Sequence, residues 1–243
     1  MSEPGSLLRS LAGRMTARNF HSHVIQELGT GVISGRFPAG SVLPSDAELM
    51  DRFQVSRTVL REAIKTLEAK GLVEARPKVG TKVAKRTRWN LFDPQVLGWH
   101  LASPPDETFI SGLHDVRLQL EPLAAQDMAR HRTGEQIRLM HYWLRQMELS
   151  ASDVTSFSLA DFELHRIISD SSRNPFMAAL YGVIELSHAL AYGPLMQRPD
   201  ASQLLGFVEP HRVLVRQIEA RDEANAYSAM QALILYERVR SIE

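Results

Sequence analysis

The chain has 243 residues, 44% of them hydrophobic and 23% charged, with 28 basic and 28 acidic side chains and no cysteine. These figures suit one large or two modest globular domains, and they exclude disulfides and thiolate metal sites. No apolar run approaches the about 18 residues of a membrane span, and the first twenty residues lack the apolar centre of a secretory signal, so a cytoplasmic protein is expected.

The balanced charge conceals a segregation. Ser56 to Arg88 holds ten Lys or Arg against three Glu, a net of +7, and all five lysines of the chain lie in its last 24 residues, between Lys65 and Lys85. Trp89 to Glu243 holds thirteen Arg, no Lys and twenty acidic residues, a net of −7. A compact basic segment beside an acidic remainder points to a polyanion-binding module joined to a body that avoids polyanions.

In chain order, a flexible tail is expected over residues 1–18. Phe20, Val24, Leu28, Val32 and Ile33 then recur at helical spacing. "PAG" breaks that helix, and Ser45 with Glu48 has the spacing of a capping box for a second one. Ser56 caps a third, "SRTVLREAIKTLEAKG", which Gly71 closes. There Val59, Ala63, Ile64 and Leu67 form the expected buried stripe, while Arg57, Thr58 and Arg61 sit near the N-terminus on the other side. Two short helices across a tight turn have the form of a helix-turn-helix. The next run, "LVEARPKVGTKVAKR", reads as a hairpin with a basic tip. Residues 19–86 therefore predict a winged helix-turn-helix. Arginine can bond guanine through two parallel hydrogen bonds, and a wing lays Lys78 and neighbouring backbone against DNA.

Residues 87–105 form a linker in which Trp89, Leu91, Val96, Leu97 and Trp99 predict a short docked helix. Beyond it strand signals vanish. Helices are expected at 107–132, 134–149, 153–171, 175–197, 201–220 and 222–241, an antiparallel all-α bundle over 106–243. The fold class is thus mainly α.

The bundle carries the metal chemistry. Asp161 and His165 stand one helical turn apart, and His211 lies among apolar residues of a later helix. Carboxylate and imidazole suit Zn²⁺, Ni²⁺ or Mn²⁺. Arg117 and Glu121, again one turn apart, are either an i,i+4 ion pair or contacts for an anionic effector, with Asn174 as a further partner for hydroxyl groups. Taken alone, Asp–x₃–His also arises by chance and His211 could cap a turn. Two histidines and a carboxylate can also activate water, so a metal-dependent hydrolase fused to a nucleic-acid-binding module is the alternative reading. It lacks an additional general base and leaves the basic module unexplained, so the expectation is a protein that is not an enzyme.

The stretch "GRFPAGSVLPSDAELMDRFQVSRTVLREAIKTLEAKGLVEARPKVGTKV" resembles the DNA-binding domain of GntR-type bacterial repressors, through Leu43-Pro44-Ser45, Val55-Ser56-Arg57, Arg61-Glu62-Ala63, Gly71-Leu72-Val73 and Gly80-Thr81. Asp46 stands where glutamate is more usual. The resemblance implies operator contacts by Ser56, Arg57, Thr58 and Arg61, with Lys78 and Gly80 in the wing. In the bundle, R-x-x-x-E, then D-x-x-x-H…N-P, then a late His resembles the effector domain of the FadR branch. There an aspartate and three histidines hold a divalent metal, which holds the carboxylate of a small acid. Asp161, His165 and His211 match three positions, and the fourth falls at Leu233, which implies a three-ligand site more dependent on its effector. "RWNLFDPQVLGW" resembles the interdomain segment of a sugar-acid-sensing member of that branch. The implied function is a homodimeric repressor of a sugar-acid catabolic operon. It binds pseudo-palindromic double-stranded DNA and is released by a small hydroxylated carboxylate.

Overall fold

The computed structural model describes residues 5, 7, 20–103, 106–197 and 199–240. The tail expected at 1–18 lies outside them except for Gly5 and Leu7, the latter donating its amide to Glu185 Oε1 at 2.5 Å. The chain divides into two compact units, residues 15–105 and residues 106–243 with 1–14.

The N-terminal unit contains α1 (Phe20–Ile33), α2 (Asp46–Phe53), α3 (Arg57–Ala69), β1 (Val73–Arg76), β2 (Gly80–Val83) and α4 (Pro94–Leu101). Its helix ends follow the sequence signals. Ser45 and Glu48 form a reciprocal capping box on α2, and the Ser56 hydroxyl accepts the Val59 amide at the start of α3. At the end of α3 the amides of Gly71 and Leu72 turn back to the carbonyls of Glu68 and Leu67, a Schellman closure. Only glycine suits that turn. Gly71 has φ +75°, and a Cβ there would lie 2.0 Å from the Arg88 carbonyl oxygen. The buried stripe of α3 is Leu60, Ala63 and Leu67, with Val59 and Ile64 half-buried on its flank. This corrects the expected stripe by one position: α3 packs against both α1 and α2, and Leu60 is buried with Ala63 and Leu67.

β1 and β2 pair antiparallel from Val73↔Val83 to Arg76↔Gly80, and Val42 bridges Lys82 on the outer side of β2. At the tip, Lys78 adopts φ 62° and Gly80 φ 106°. The linker helix α4 belongs to this unit. Trp99 packs against Gly29 so closely that a Cβ there would meet the indole at 2.6 Å, and its Nε1 donates to Gln26 at 3.0 Å. Trp89, Val96 and Leu97 are buried with it, whereas Leu91 is exposed.

The C-terminal unit is an all-helical bundle: α5 (Glu107–His131), α6 (Gly134–Leu149), α7 (Val154–Ser171), the short α8 (Pro175–Ala178), α9 (Tyr181–Gln197), α10 (Ala201–Glu219) and α11 (Glu223–Arg240). Asp106, Thr133, Asp153, Asn174 and Asp200 cap five of them through side-chain oxygens. The helix expected over 175–197 is divided at Ala179–Leu180. Bonds of the i→i+3 type to Asn174, Phe176 and Met177 tighten the chain there, which buries Met177 and Leu180 together. α5 lies against α11, α6 against α7, α10 against α11 and α9 against α7. Buried side chains run around most of α7, including Phe157, Phe162, Leu164 and Ile168, as in a helix surrounded by others. Pro122, Pro194 and Pro210 lie inside α5, α9 and α10.

Candidate functional site

Polar groups gather at the centre of this bundle, and they come from five helices. Asp161 and His165 of α7 and His211 of α10 are fully buried, as the sequence led one to expect. Two groups join them that sequence reasoning missed, His188 of α9 and Glu237 of α11, at 1% and 5% exposure. Asp161, His165, His211 and Glu237 each place one ligand atom within 4.8 Å of the others, a buried cluster able to hold a metal ion. His211 Nε2 lies 2.8 Å from Asp161 Oδ1, His188 Nε2 3.2 Å and His165 Nε2 3.5 Å.

The surrounding groups orient this cluster. Glu121 accepts from His165 Nδ1, and the Tyr192 hydroxyl donates to Asp161 Oδ2. Burial alone would raise the Asp161 carboxyl, but the His211 and His188 imidazoles hold it well below the usual carboxylate range. Burial likewise opposes ionisation of Glu121, yet Arg117 and His165 bring it down to about 2. His165 shows the converse. Burial would lower it, and Glu121 with Glu237 raises it to about 10. The centre is thus built to attract positive charge.

Arg117 is corrected here. Its guanidinium bonds Glu121, Ser187 Oγ at 2.9 Å and Glu237 Oε2 at 2.8 Å, and it is 2% exposed. Of the two sequence readings, the i,i+4 ion pair with Glu121 is the one realised, within a larger buried network. Arg117 and Glu121 each have a buried partner of opposite charge in this structure. Asn174 is corrected too: it is exposed, and its Oδ1 accepts the Phe176 amide as the cap of α8.

Beside the cluster lies a cleft of about 390 Å³, lined by Ile110, Ser111 and His114 of α5, Leu190 and Ala191 of α9, and Arg238 of α11 among others. Each wall continues a helix that serves the cluster: His114 precedes Arg117 by one turn, Ala191 follows His188 by one turn, and Arg238 follows Glu237 directly. His114 is 6% exposed, its Nδ1 has no hydrogen-bond partner, and burial together with Arg117 pushes its pKa down to about 4. The sign of the resulting pH effect follows. Between pH 6.5 and 4 the unfolded chain binds a proton at this position that the folded chain refuses. His114 therefore costs nothing above pH 6.5 and destabilises progressively as pH falls toward 4, by up to about 3 kcal/mol. Urea midpoints measured across this range should fall less steeply for His114→Gln than for the wild type, and parallel curves would refute the neutral, buried state.

In the N-terminal unit, Ser56, Arg57, Thr58 and Arg61 are all exposed along the first turns of α3, and Lys78 and Gly80 are exposed at the wing tip. Arg57 and Arg61 are spaced i,i+4 and so share one face.

Residues 20–83 match the family described as bacterial regulatory proteins, gntR family, and residues 112–235 match the FCD domain. The galactonate operon transcriptional repressor of Escherichia coli K12 is 30% identical over 217 residues, spanning 89% of this chain and 94% of its own. The chain belongs to the gntR family. Among other relatives of this gntR regulator is the transcriptional repressor NanR of Salmonella schwarzengrund, 30% identical over 230 residues, which span 94% of this chain and 87% of the other. A solved structure from Listeria monocytogenes, described as Lar, which controls expression of the agr system, shares the fold with a TM-score of 0.65 at 14% identity, covering 94% and 99% of the two chains.

The gntR assignment makes the protein a ligand-responsive transcription repressor that binds operator DNA through the winged helix and effector through the FCD domain. It is not an enzyme, and the hydrolase alternative falls with that. The FCD domain is typically metal-binding, and the donors present fit such an ion: Asp161, His165, His211 and Glu237 bring ligand atoms within 4.8 Å of one another, and His165 Nε2 and Glu237 Oε1 among them are buried without hydrogen-bond partners. Among the described residues no helix is long and apolar enough to cross a membrane.

Proposed function

We propose that this regulator represses a sugar-acid catabolic operon, binding a pseudo-palindromic operator as a homodimer in the cytoplasm, and that a small hydroxylated carboxylate releases it. A hexonate such as galactonate is the first candidate. The observation that carries this reading is the pairing of a buried metal-type cluster with an adjoining cleft, in a chain similar over nearly its whole length to a galactonate operon repressor. Asp161, His165 and His211 hold one divalent ion, Zn²⁺, Ni²⁺ or Mn²⁺, which supplies a Lewis-acidic point for an oxygen of the effector.

The cleft suits a partly polar ligand. Ile110, Leu190 and Ala191 give it apolar wall, while Ser111, His114 and Arg238 give it polar groups, Arg238 bonding Ser111 Oγ at 3.2 Å and Asp115 Oδ1 at 3.4 Å at its partly exposed end. Arg238, on the cleft side of α11, replaces Arg117 as the expected partner of the effector carboxylate. Binding releases DNA only to the extent that the effector favours one dimer geometry over another.

Calorimetric titration of the metal-loaded chain should show galactonate binding that weakens at least tenfold in Arg238→Ala and for short acids such as lactate. Galactonate should also dissociate the protein from an operator fragment at fixed salt. If fatty acids or amino acids bind and hexonates do not, the regulator remains and this effector class is wrong.

A further inference from the structure

We infer that this chain closes the metal's coordination with two side chains of its own, His188 and Glu237, beside Asp161, His165 and His211. The inference rests on the metal reading above and concerns which residues hold the ion.

The tautomers carry the first argument. His165 Nδ1 faces the Glu121 carboxylate, His188 Nδ1 lies 2.8 Å from the Ile184 carbonyl oxygen, and His211 Nδ1 lies 2.7 Å from that of Phe207. Each of these partners only accepts, so each imidazole keeps a proton on Nδ1 and directs its Nε2 inward. The carboxylates are arranged alike. Asp161 Oδ2 accepts from Tyr192 and Glu237 Oε2 accepts from Arg117, which leaves Asp161 Oδ1 and Glu237 Oε1.

Three Nε2 atoms and two carboxylate oxygens thus gather in one buried place, and His211 Nε2 already bonds Asp161 Oδ1 at 2.8 Å. A divalent ion bound there takes the place of the imidazole protons that otherwise offset the carboxylates. The pairwise geometry agrees. His188 Nε2 comes within 3.2 Å of Asp161 Oδ1 and His165 Nε2 within 3.5 Å of Glu237 Oε1, yet His188 Nε2, His165 Nε2 and Glu237 Oε1 have no hydrogen bond. His165 Nε2 and Glu237 Oε1 belong to the four-residue set that lies within 4.8 Å, and His188 Nε2 flanks that set at Asp161 Oδ1.

Charge gives the second argument. Asp161, Glu121 and Glu237 against Arg117 leave a buried formal charge of −2 once the imidazoles are neutral, the state in which they ligate a metal, and one divalent ion cancels it. Position gives the third. Leu233 is fully buried and carries no donor, and Glu237 stands one turn later on the same face of α11 with a side chain able to reach back. His188 approaches from α9, its Nε2 lying 3.2 Å from the same Asp161 Oδ1 that His211 Nε2 reaches at 2.8 Å.

The test uses the full chain, stripped with chelator and reloaded with Co²⁺. A Co²⁺-bound imidazole that keeps its Nδ1 proton gives one strongly shifted, exchangeable proton resonance. Three such resonances are expected in the wild type and two in His188→Gln. Glu237→Gln should retain three and bind Co²⁺ at least tenfold more weakly, because the glutamine keeps the shape and the Arg117 contact but loses the charge. Two resonances in the wild type would overturn the role of His188, and that count needs no variant to fold. Affinity of Glu237→Gln within twofold of the wild type would overturn the role of Glu237. A folded wild-type chain that binds no Co²⁺ would instead remove the metal reading itself.

Discussion

Replacing Arg57 or Arg61 by alanine should abolish specific operator binding while leaving the effector domain folded and responsive. Both side chains are exposed on one face at the start of α3, a helix whose opposite face is locked into the core by Leu60, Ala63 and Leu67. A bidentate contact to guanine contributes about 1–3 kcal/mol of discrimination, and a dimer counts it in each half-site. Each substitution should therefore weaken specific binding by roughly 30-fold to 10⁴-fold. Lys78→Ala, at the wing tip, should behave differently. It should weaken specific and non-specific DNA alike and flatten the dependence of affinity on salt, as expected for a phosphate contact. Operator affinity unchanged in Arg57→Ala and Arg61→Ala, in gel shifts at fixed salt, would remove α3 as the reading helix.

The second large effect is on stability. Arg117→Ala should destabilise the effector domain by about 3–5 kcal/mol, because it leaves Glu121 and Glu237 buried without their counter-charge. For a unit of this size that corresponds to a fall in melting temperature of roughly 6–20 °C. The same substitution at an effector-contacting arginine would change ligand affinity and leave the melting temperature nearly intact, so one thermal scan separates the roles. A variant that melts within about 2 °C of the wild type would show that the network contributes little.

Much of the architecture was legible in the sequence because it depends on local chemistry. The Ser45–Glu48 box, the Ser56 cap and the Gly71 closure are short-range hydrogen-bond patterns, and they place the helix-turn-helix without reference to the rest of the chain. Asp161 and His165 were legible for the same reason, being one turn apart on one helix. Glu237 and His188 were not, because only the convergence of α7, α9, α10 and α11 brings them to Asp161. Glu237 sits in "LYERVR", which reads as the solvated end of a last helix, and His188 in "ELSHALAY", which reads as core. A usable signal existed in each case: a carboxylate one turn beyond the donor-less Leu233, and a histidine one turn before Tyr192 in an otherwise apolar run. Arg117 and Asn174, expected to meet an effector, each have a structural partner as well. A buried arginine on a bundle helix suggested a ligand contact, but its neighbours Glu121 and Glu237 neutralise it. The Asn-Pro pair that suggested a site is a helix cap.

The prolines inside three bundle helices affect how the centre can be felt at a distance. Pro122 follows Glu121, Pro210 precedes His211 and Pro194 follows Tyr192 by two residues. Each withholds one amide from its helix ladder, so the rods are least stiff at the level of the buried charges. A shift of the buried charges should therefore be taken up first at these points. Amide exchange should register this as faster turnover around the three prolines with slow, unchanged protection at Leu164 and Ile168 on unbroken α7.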